Sequence, residues 1–345
     1  MKKMIVSGVR KALPSGVVGL IEEGYRRSRV KAVSVRYGNP ARNLRVLAIT
    51  GTNGKTTTAN FLNEILKADG KKTAMFTTAV IEIDGKRKLN DLNATVATTE
   101  EMQKFFRDAK KAKVDFVVLE ITSHALHQHK LATVPIEAAI MTNLTQDHLD
   151  YHKTMEAYAA AKAKLFKHEP RYMVLNQDDE WFGYFNQFIA DEHKITYGVD
   201  EGAECRIEKV KFYKRGTEMQ LEVDHQTKIP LATHLPGKFN VYNAAAAAAT
   251  AYVLGVDVVS IVDGVANLEE IPGRFEYIEV KKPYGVIVDY AHTPDALEQL
   301  LEAAKHLTKN RVILVFGATG DRDKAKRPIM GEIAARGADR IILTD

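Results

Sequence analysis

Two rhythms of hydrophobic and polar positions alternate along this chain. Short apolar runs at residues 46–49, 72–78, 115–121, 138–144 and 172–176 read as strands, and many are apolar on both sides, as buried parallel strands are. Helical patterns separate them, with apolar residues at Phe61, Leu62, Ile65 and Leu66 and further helices predicted over 99–112, 155–166 and 180–190. This alternation predicts an α/β fold built on a mostly parallel, doubly wound sheet. Residues 206–213, 218–223 and 228–232 break the rhythm and predict a small antiparallel sheet, with Arg215-Gly216 at one turn. An alanine-rich helix follows over 240–254, ending at Gly255. After Pro272-Gly273 a second unit starts: strands at 277–281 and 285–289, a helix over 294–307, then strand, helix and strand at 311–316, 328–335 and 340–344.

Three segments result. Residues 1–43 form a short basic N-terminal segment, and Asn39-Pro40 marks its boundary. Residues 44–271 form a central domain. Residues 272–345 are the start of a Rossmann-like domain that is incomplete at Asp345, on an expected strand end. A length of 345 residues suits two domains, or three if one is small. The single cysteine, Cys205, excludes an intramolecular disulfide and suits a reducing, cytoplasmic setting. No apolar run approaches the ~18 residues that span a bilayer, and no signal peptide is apparent.

Charge is mild but uneven. The chain carries a net +5, yet residues 1–45 hold 11 Lys/Arg against Glu22 and Glu23. That segment reads first as a solvated helix and linker. A weak anionic-membrane or partner surface is a second reading, because Val17, Val18, Leu20 and Ile21 are apolar, and nucleic-acid binding is the least supported.

One stretch carries the strongest chemical signal. The strand at 46–49 runs into Gly51-Thr52-Asn53-Gly54-Lys55-Thr56-Thr57, and a helix follows. Glycines that turn backbone N–H groups toward phosphates, a lysine as point charge and a threonine hydroxyl placed for Mg²⁺ make a nucleotide-triphosphate site. Ile49, where the general pattern has glycine, makes the loop tighter. A chance Gly-Lys-Thr in a surface turn would lack the flanking strand and helix.

Further clusters stand where strands end. Glu120, in Glu120-Ile-Thr-Ser-His124, closes an apolar strand, where side chains face the ligand crevice; it suits a metal or a water to be oriented, or is a surface acid. Residues 142–152 pack Asp147, His148, Asp150 and His152 behind another strand, and Asp147-His148 suits a Mg²⁺ site. By pattern alone Lys162 and Lys164 are solvated helix residues. Asp289-Tyr-Ala-His292-Thr-Pro and residues 317–328 stand at strand-to-helix transitions. The latter adds four basic side chains before a helix, which suits an anion, so ATP between two closing domains is expected.

Eight motifs in order carry a resemblance: Gly51-Thr-Asn-Gly-Lys-Thr-Thr, Glu120-Ile-Thr-Ser-His, Thr142-Asn-Leu-Thr-Gln-Asp-His-Leu-Asp-Tyr-His, Asn176-Gln-Asp-Asp, Gly237-Lys-Phe-Asn-Val-Tyr-Asn243, Pro272-Gly-Arg274-Phe-Glu, Val288-Asp-Tyr-Ala-His-Thr-Pro-Asp and Gly320-Asp-Arg-Asp-Lys-Ala-Lys-Arg-Pro. Over residues 44–345 the chain resembles the Mur ligases of peptidoglycan synthesis, most of all the member that adds the third amino acid to UDP-N-acetylmuramoyl-L-alanyl-D-glutamate.

The resemblance implies an ATP-dependent amide ligase working through an acyl phosphate. It implies that Gly51, Thr52, Asn53, Gly54, Lys55, Thr56 and Thr57 bind the ATP phosphates. Asn243 would contact adenine, Arg274 and Asp289 the phosphate and ribose parts, and His292 and Lys326 the phosphates. Lys55, Glu120, His148 and Lys162 are the implied catalytic set. Thr56 would hold one Mg²⁺, Glu120 and His148 a second, and Lys162 would be carbamylated so that it can ligate or position metal. Thr98, Thr99, Thr122, Gln128 and Lys130 would hold the UDP-MurNAc-dipeptide. A monomer with small-molecule substrates, an amino acid among them, and no nucleic acid is expected.

Three departures from the family pattern carry expectations. Lys130 replaces an arginine and loses its bidentate fork. About 44 residues precede the P-loop, roughly half the family's number, so UDP recognition is expected to be reduced or absent. The Asp-Asn-Pro-Arg element that selects the incoming amino acid would begin near Asp345, so the chain is expected not to complete ligation alone. A folylpolyglutamate-type or lipid-linked Mur-like ligase on another γ-carboxylate, and a non-catalytic nucleotide-binding homologue, remain alternatives.

Overall fold

The computed structural model describes residues 15–90, 97–308, 310–318 and 323–344. The expected residues Gly320, Asp321, Arg322 and Asp345 lie outside these, as do 1–14 and 91–96. The strands are β1 (Arg45–Thr50), β2 (Thr73–Phe76), β3 (Val80–Ile83), β4 (Lys86–Leu89), β5 (Phe116–Glu120), β6 (Ile136–Met141), β7 (Tyr172–Asn176), β8 (His193–Gly198), β9 (Cys205–Tyr213), β10 (Gly216–Val223), β11 (Thr227–Thr233), β12 (Glu276–Ile278), β13 (Val286–Val288), β14 (Ile313–Phe316) and β15 (Arg340–Leu343). The helices are α1 (Ser15–Arg36), α2 (Lys55–Ala68), α3 (Thr99–Ala112), α4 (Ser123–His127), α5 (Leu149–His152), α6 (Met155–Ala163), α7 (Phe182–Asn186), α8 (Lys238–Val253), α9 (Val258–Ala266), α10 (Pro294–Leu307) and α11 (Lys326–Gly337).

Strands β1 to β11 form one sheet in the order β11-β10-β9-β8-β7-β6-β1-β5-β2-β3-β4. From β2 across β5, β1, β6, β7 and β8 to β9 every neighbour is parallel, and both flanks are antiparallel. The antiparallel meander therefore continues the parallel sheet through the β8–β9 pairing. Strand periodicity sorts the core. Leu47 and Ile49 of β1 join Phe61, Ile65 and the alanines of α8 on one face, while Val46 and Ala48 join Phe105, Phe106, Tyr158 and Phe185 on the other. Burial on both faces is what a continuous apolar strand predicts. Ala244–Ala249 are fully buried, and their small side chains let α8 lie close along α2.

The central strand β1 lies between β5 and β6, so the carboxyl ends of these three strands open on one crevice. Residues 273–344 add the antiparallel pair β12–β13 and the parallel pair β14–β15. Helices α10 and α11 pack over a small core of Leu297, Leu301, Leu314, Met330 and Ile333. All four residues of β15 are exposed.

Local differences from the sequence reading have local causes. The helix expected over 155–166 stops at Ala163, and a 3₁₀ turn at Phe166–His168 follows. The helix expected over 180–190 shrinks to α7, because Asp179 caps Trp181 N–H and holds the preceding chain in a turn. The strands at 277–281 and 285–289 shorten to three-residue β12 and β13.

Candidate active site

Glycine geometry shapes the loop after β1. Gly51 (φ +150°) and Gly54 (φ +83°) both use backbone that other residues rarely adopt. A Cβ on Gly51 would overlap the Thr142 hydroxyl, and one on Gly54 the Asn243 carboxamide oxygen. Gly54 is the N-cap of α2 and offers no side chain to its first N–H groups, which leaves them for an anion. The loop is held from the β6 side. Asn53 N–H donates to Asn143 Oδ1 (2.8 Å), and the Thr142 hydroxyl donates to Asn53 O (2.6 Å). Thr52 Oγ1 donates to Thr145 O (3.1 Å) and accepts from Thr145 N–H (3.0 Å).

Cations and carboxylates converge around that loop. Lys55 folds back, donating to Thr52 O (2.8 Å) and Gly51 O (3.1 Å); burial lowers its pKa, against the attraction of Glu120. Glu120, ending β5, accepts from the Thr56 hydroxyl (2.8 Å) and Thr78 N–H (2.9 Å). Arg274 reaches the same spot and donates to Thr56 Oγ1 (3.0 Å) and Thr78 Oγ1 (3.3 Å), its guanidinium 4.4 Å from the Tyr290 ring. Among the described residues no three His, Cys, Asp or Glu side chains make a metal cluster. The donors at Thr56 and Glu120 are hard oxygens, which suit a Mg²⁺ that completes its octahedron with phosphate and water.

Asp147 joins the two parts of the chain. Its carboxylate accepts from Lys326 Nζ (3.2 Å) and lies 3.6 Å from His292 Nε2 and 3.2 Å from His148 Nε2. Burial pushes the Asp147 pKa up, but these three groups outweigh it and hold the carboxyl well below the usual carboxylate range. Burial takes the His148 pKa down to about 3, despite Asp147 beside it. Asn53 Nδ2 adds a second bridge, donating to Asp295 Oδ2 (2.7 Å). Lys326 and Arg327 stand inside the first turn of α11 rather than before it.

A cleft of about 1190 Å³ collects most of the sequence-predicted residues: Thr52 to Thr57, Glu120, Thr122, His148, Asn243, Arg274, Asp289, His292 and Lys326. Asp289 anchors its own turn, accepting from Phe275 N–H and Ala291 N–H (both 2.7 Å). Lys162 lies beneath the loop: fully buried, it donates to Gly51 O (2.6 Å), sits 4.4 Å from the Tyr158 ring, and burial lowers its pKa well below the ordinary value. The other expected acceptor residues stand outside the cleft lining. Thr98 caps α3, Thr99 begins it, and Gln128 caps α4. Lys130 is buried, donates to Ala97 O, and burial lowers its pKa to about 8. The sequence reading assigns no role to Thr78 or Asp295, although Thr78 ends the strand expected at 72–78 and Asp295 closes the motif that begins at Val288.

Comparison with known proteins bears on this arrangement. The Mur ligase middle domain matches residues 49–251, and the Mur ligase glutamate ligase domain matches residues 273–345. The chain belongs to the Mur ligase family. It is 39% identical to UDP-N-acetylmuramoyl-L-alanyl-D-glutamate–2,6-diaminopimelate ligase 1 of Clostridium acetobutylicum, over 99% of this chain and 70% of that one. It is 41% identical to the Bacillus velezensis ligase of the same activity name, over 92% of this chain and 66% of the relative. A solved ligase of that name superposes with a TM-score of 0.69 at 36% identity, over 88% of this chain and 62% of the other. MurF from Acinetobacter baumannii (TM-score 0.71, 22% identity) and apo L. casei FPGS (0.75, 20%) share the fold. The chain thus spans about two thirds of the length of these Mur ligase relatives. Mur ligases form amide bonds at the expense of ATP and use Mg²⁺.

Proposed function

We propose that this Mur ligase adds the third amino acid to UDP-N-acetylmuramoyl-L-alanyl-D-glutamate in peptidoglycan precursor synthesis. A carboxylate oxygen of the acceptor attacks the γ-phosphorus of ATP, and ADP leaves. The incoming amine then attacks the acyl carbon, a tetrahedral intermediate forms, and phosphate departs with the amine's proton lost to solvent or phosphate. One observation carries the reading. Arg274 and Lys326 of the C-terminal part reach Thr56 and Asp147 beside the P-loop, with the His292 ring 3.6 Å from Asp147, so cations from both parts line one crevice.

Each group has a role in that chemistry. The α2 N-terminus, Lys55, Lys326 and His292 gather the phosphates, and Arg274 neutralises charge developing at the transferred group. Thr56, Glu120 and His148 would hold Mg²⁺, which would supply charge neutralisation and orientation. Lys162, whose pKa burial lowers, would add CO₂ through its neutral amine to become a carbamate: the N–C bond forms and one amine proton is released. Thr122 contacts the acceptor from the cleft, and Thr98, Thr99, Gln128 and Lys130 grip its far end. Asn243 faces the adenine, and Asp289 the ribose.

The relatives' shared name makes 2,6-diaminopimelate the first amine to test. The experiment is phosphate release from ATP and Mg²⁺, with and without UDP-N-acetylmuramoyl-L-alanyl-D-glutamate. Stimulation by that acceptor is expected. Stimulation only by a lipid-linked or folate acceptor would replace the proposed substrate, and no ATP turnover with any acceptor would make the chain a non-catalytic homologue.

A further inference from the structure

Helix α1 has two faces of opposite character. Its inner face is fastened to the central sheet's helices. Glu23 accepts from His129 Nε2 (2.8 Å) and Lys164 Nζ (3.3 Å), Arg26 lies 3.5 Å from His127, Val30 is 2% exposed, and the buried Ser34 bonds Asn39 and Thr133. At 100° per residue, the outward face brings Val17, Ile21, Tyr25, Ser28, Ala32 and Val35 into one stripe. The stripe holds no charge, and its large side chains stand in solvent: Ile21 is 51% exposed, Tyr25 64% and Val35 64%. Cations rim it on both sides, Arg27 and Lys31 along one edge and Arg29 and Arg36 along the other, all exposed. The two acids of α1 lie off the stripe, Glu22 against Arg26 and Glu23 against His129 and Arg27 (3.3 Å), and Glu100 stands 3.9 Å from Arg29; these partners leave the rim cations exposed.

We propose that α1 docks the ligase in plane on an anionic phospholipid surface, the Val17–Ile21–Tyr25–Val35 stripe entering the headgroup layer and the two basic rims meeting lipid phosphates. A helix with an apolar face, cationic flanks and a tyrosine at the boundary is built for the interface rather than for crossing it, and no described helix is long and apolar enough to span a bilayer. Charge selects this occupant. Pairing the stripe with a second copy of itself would press two basic rims together, whereas an anionic leaflet attracts each Lys or Arg near its surface. The sequence just before α1 adds Lys2, Lys3, Arg10 and Lys11 with no acid, which reinforces the same attraction. The inner contacts at His127 and His129 flank Gln128, so docking sets the α4 end of the enzyme within roughly one helix diameter, ~10 Å, of the bilayer.

Vesicle flotation of the full chain tests this, using phosphatidylcholine vesicles with and without phosphatidylglycerol. The chain is expected to float with the anionic vesicles and not with the neutral ones, and to be released by raising salt from about 0.1 M to about 1 M. Ile21→Ser/Tyr25→Ser should weaken partition about tenfold. Arg27→Gln/Lys31→Gln should weaken it more than tenfold, at roughly fivefold per cation. These side chains are solvent-exposed, so melting curves of the variants should match the parent. No flotation with anionic vesicles, or equal flotation of parent and both variants, overturns the proposal. A concentration-dependent dimer abolished by Ile21→Ser/Tyr25→Ser would assign the stripe to a second copy instead.

Discussion

Lys162 and His152 are neighbours in one buried cluster, and both are shaped by loss of water. The Lys162 amine lies under the phosphate loop with Gly51 O as its hydrogen-bond acceptor, and burial makes the neutral form favourable. Its proposed carbamate is expected to appear as a ¹³C signal with labelled bicarbonate that vanishes in Lys162→Ala. The same variant should lose at least about a hundredfold in kcat, a scale typical of losing one transition-state-stabilising group, with partial rescue by added bicarbonate; an active Lys162→Ala removes the residue from the mechanism. His152 accepts or donates at Ser123 Oγ (2.9 Å) and stacks at a tilt on Tyr158. Burial, with help from His124, His127 and Lys162, lowers its pKa to about 4. Between the unfolded value near 6.5 and that folded value, the unfolded chain binds more protons, so stability falls as pH falls through this window and is flat above it. Chemical denaturation across pH should show a slope to which His152 contributes about 1.4 kcal/mol per pH unit, one proton's worth; His148 and His129, also lowered by burial, add to it, so His152→Gln should reduce the slope by one proton without abolishing it.

Elements differ in how much of their structure their own sequence specifies. Helix α3 matches the reading at both ends, because Thr98 and Glu101 form a capping box: Glu101 N–H donates to Thr98 Oγ1 (3.2 Å) and Thr98 N–H to Glu101 Oε2 (2.6 Å). Thr98→Ala should lower stability by about 1 kcal/mol. A rise in acceptor KM in the same variant would support the further expectation that Thr98 touches substrate, and an unchanged KM would leave it a cap alone. Helix α10 was equally legible, with Thr293 accepting from Ala296 N–H and Pro294 at its first turn. Other elements take their form from neighbours. β4, with all four residues exposed, carries no burial pattern and exists because it pairs β3. β8 opens on exposed His193 and gains its place beside β7. In the site, motif-bearing residues were legible, because glycine geometry and strand-end position leave marks in sequence. Thr78 and the latch at Asp147 were not, since a hydroxyl in a loop and an ion pair 179 positions apart are properties of the folded chain.

The two parts of the molecule are held together at the site by opposite charges that ATP would rearrange. Lys326 is 5% exposed, and a buried ammonium needs an anion; here that anion is Asp147, which also faces His292. On the proposed reading the γ-phosphate competes with Asp147 for Lys326, so Asp147 keeps the C-terminal part docked until nucleotide takes its place. Asp147→Asn preserves shape and removes the charge. Without nucleotide, the variant should exchange amide hydrogens faster over the described residues of 273–344, because Lys326 loses its counter-ion, and ATP should restore protection. Its ATP affinity should rise by roughly tenfold, since one competing charge interaction of about 1.4 kcal/mol is gone, whereas a carboxylate serving only to brace the fold would weaken binding when removed. Slower phosphate release despite tighter ATP is the accompanying expectation, because His148 then loses the partner that orients its ring. Unchanged exchange together with weaker ATP binding would show that Asp147 acts with the phosphates rather than in their stead.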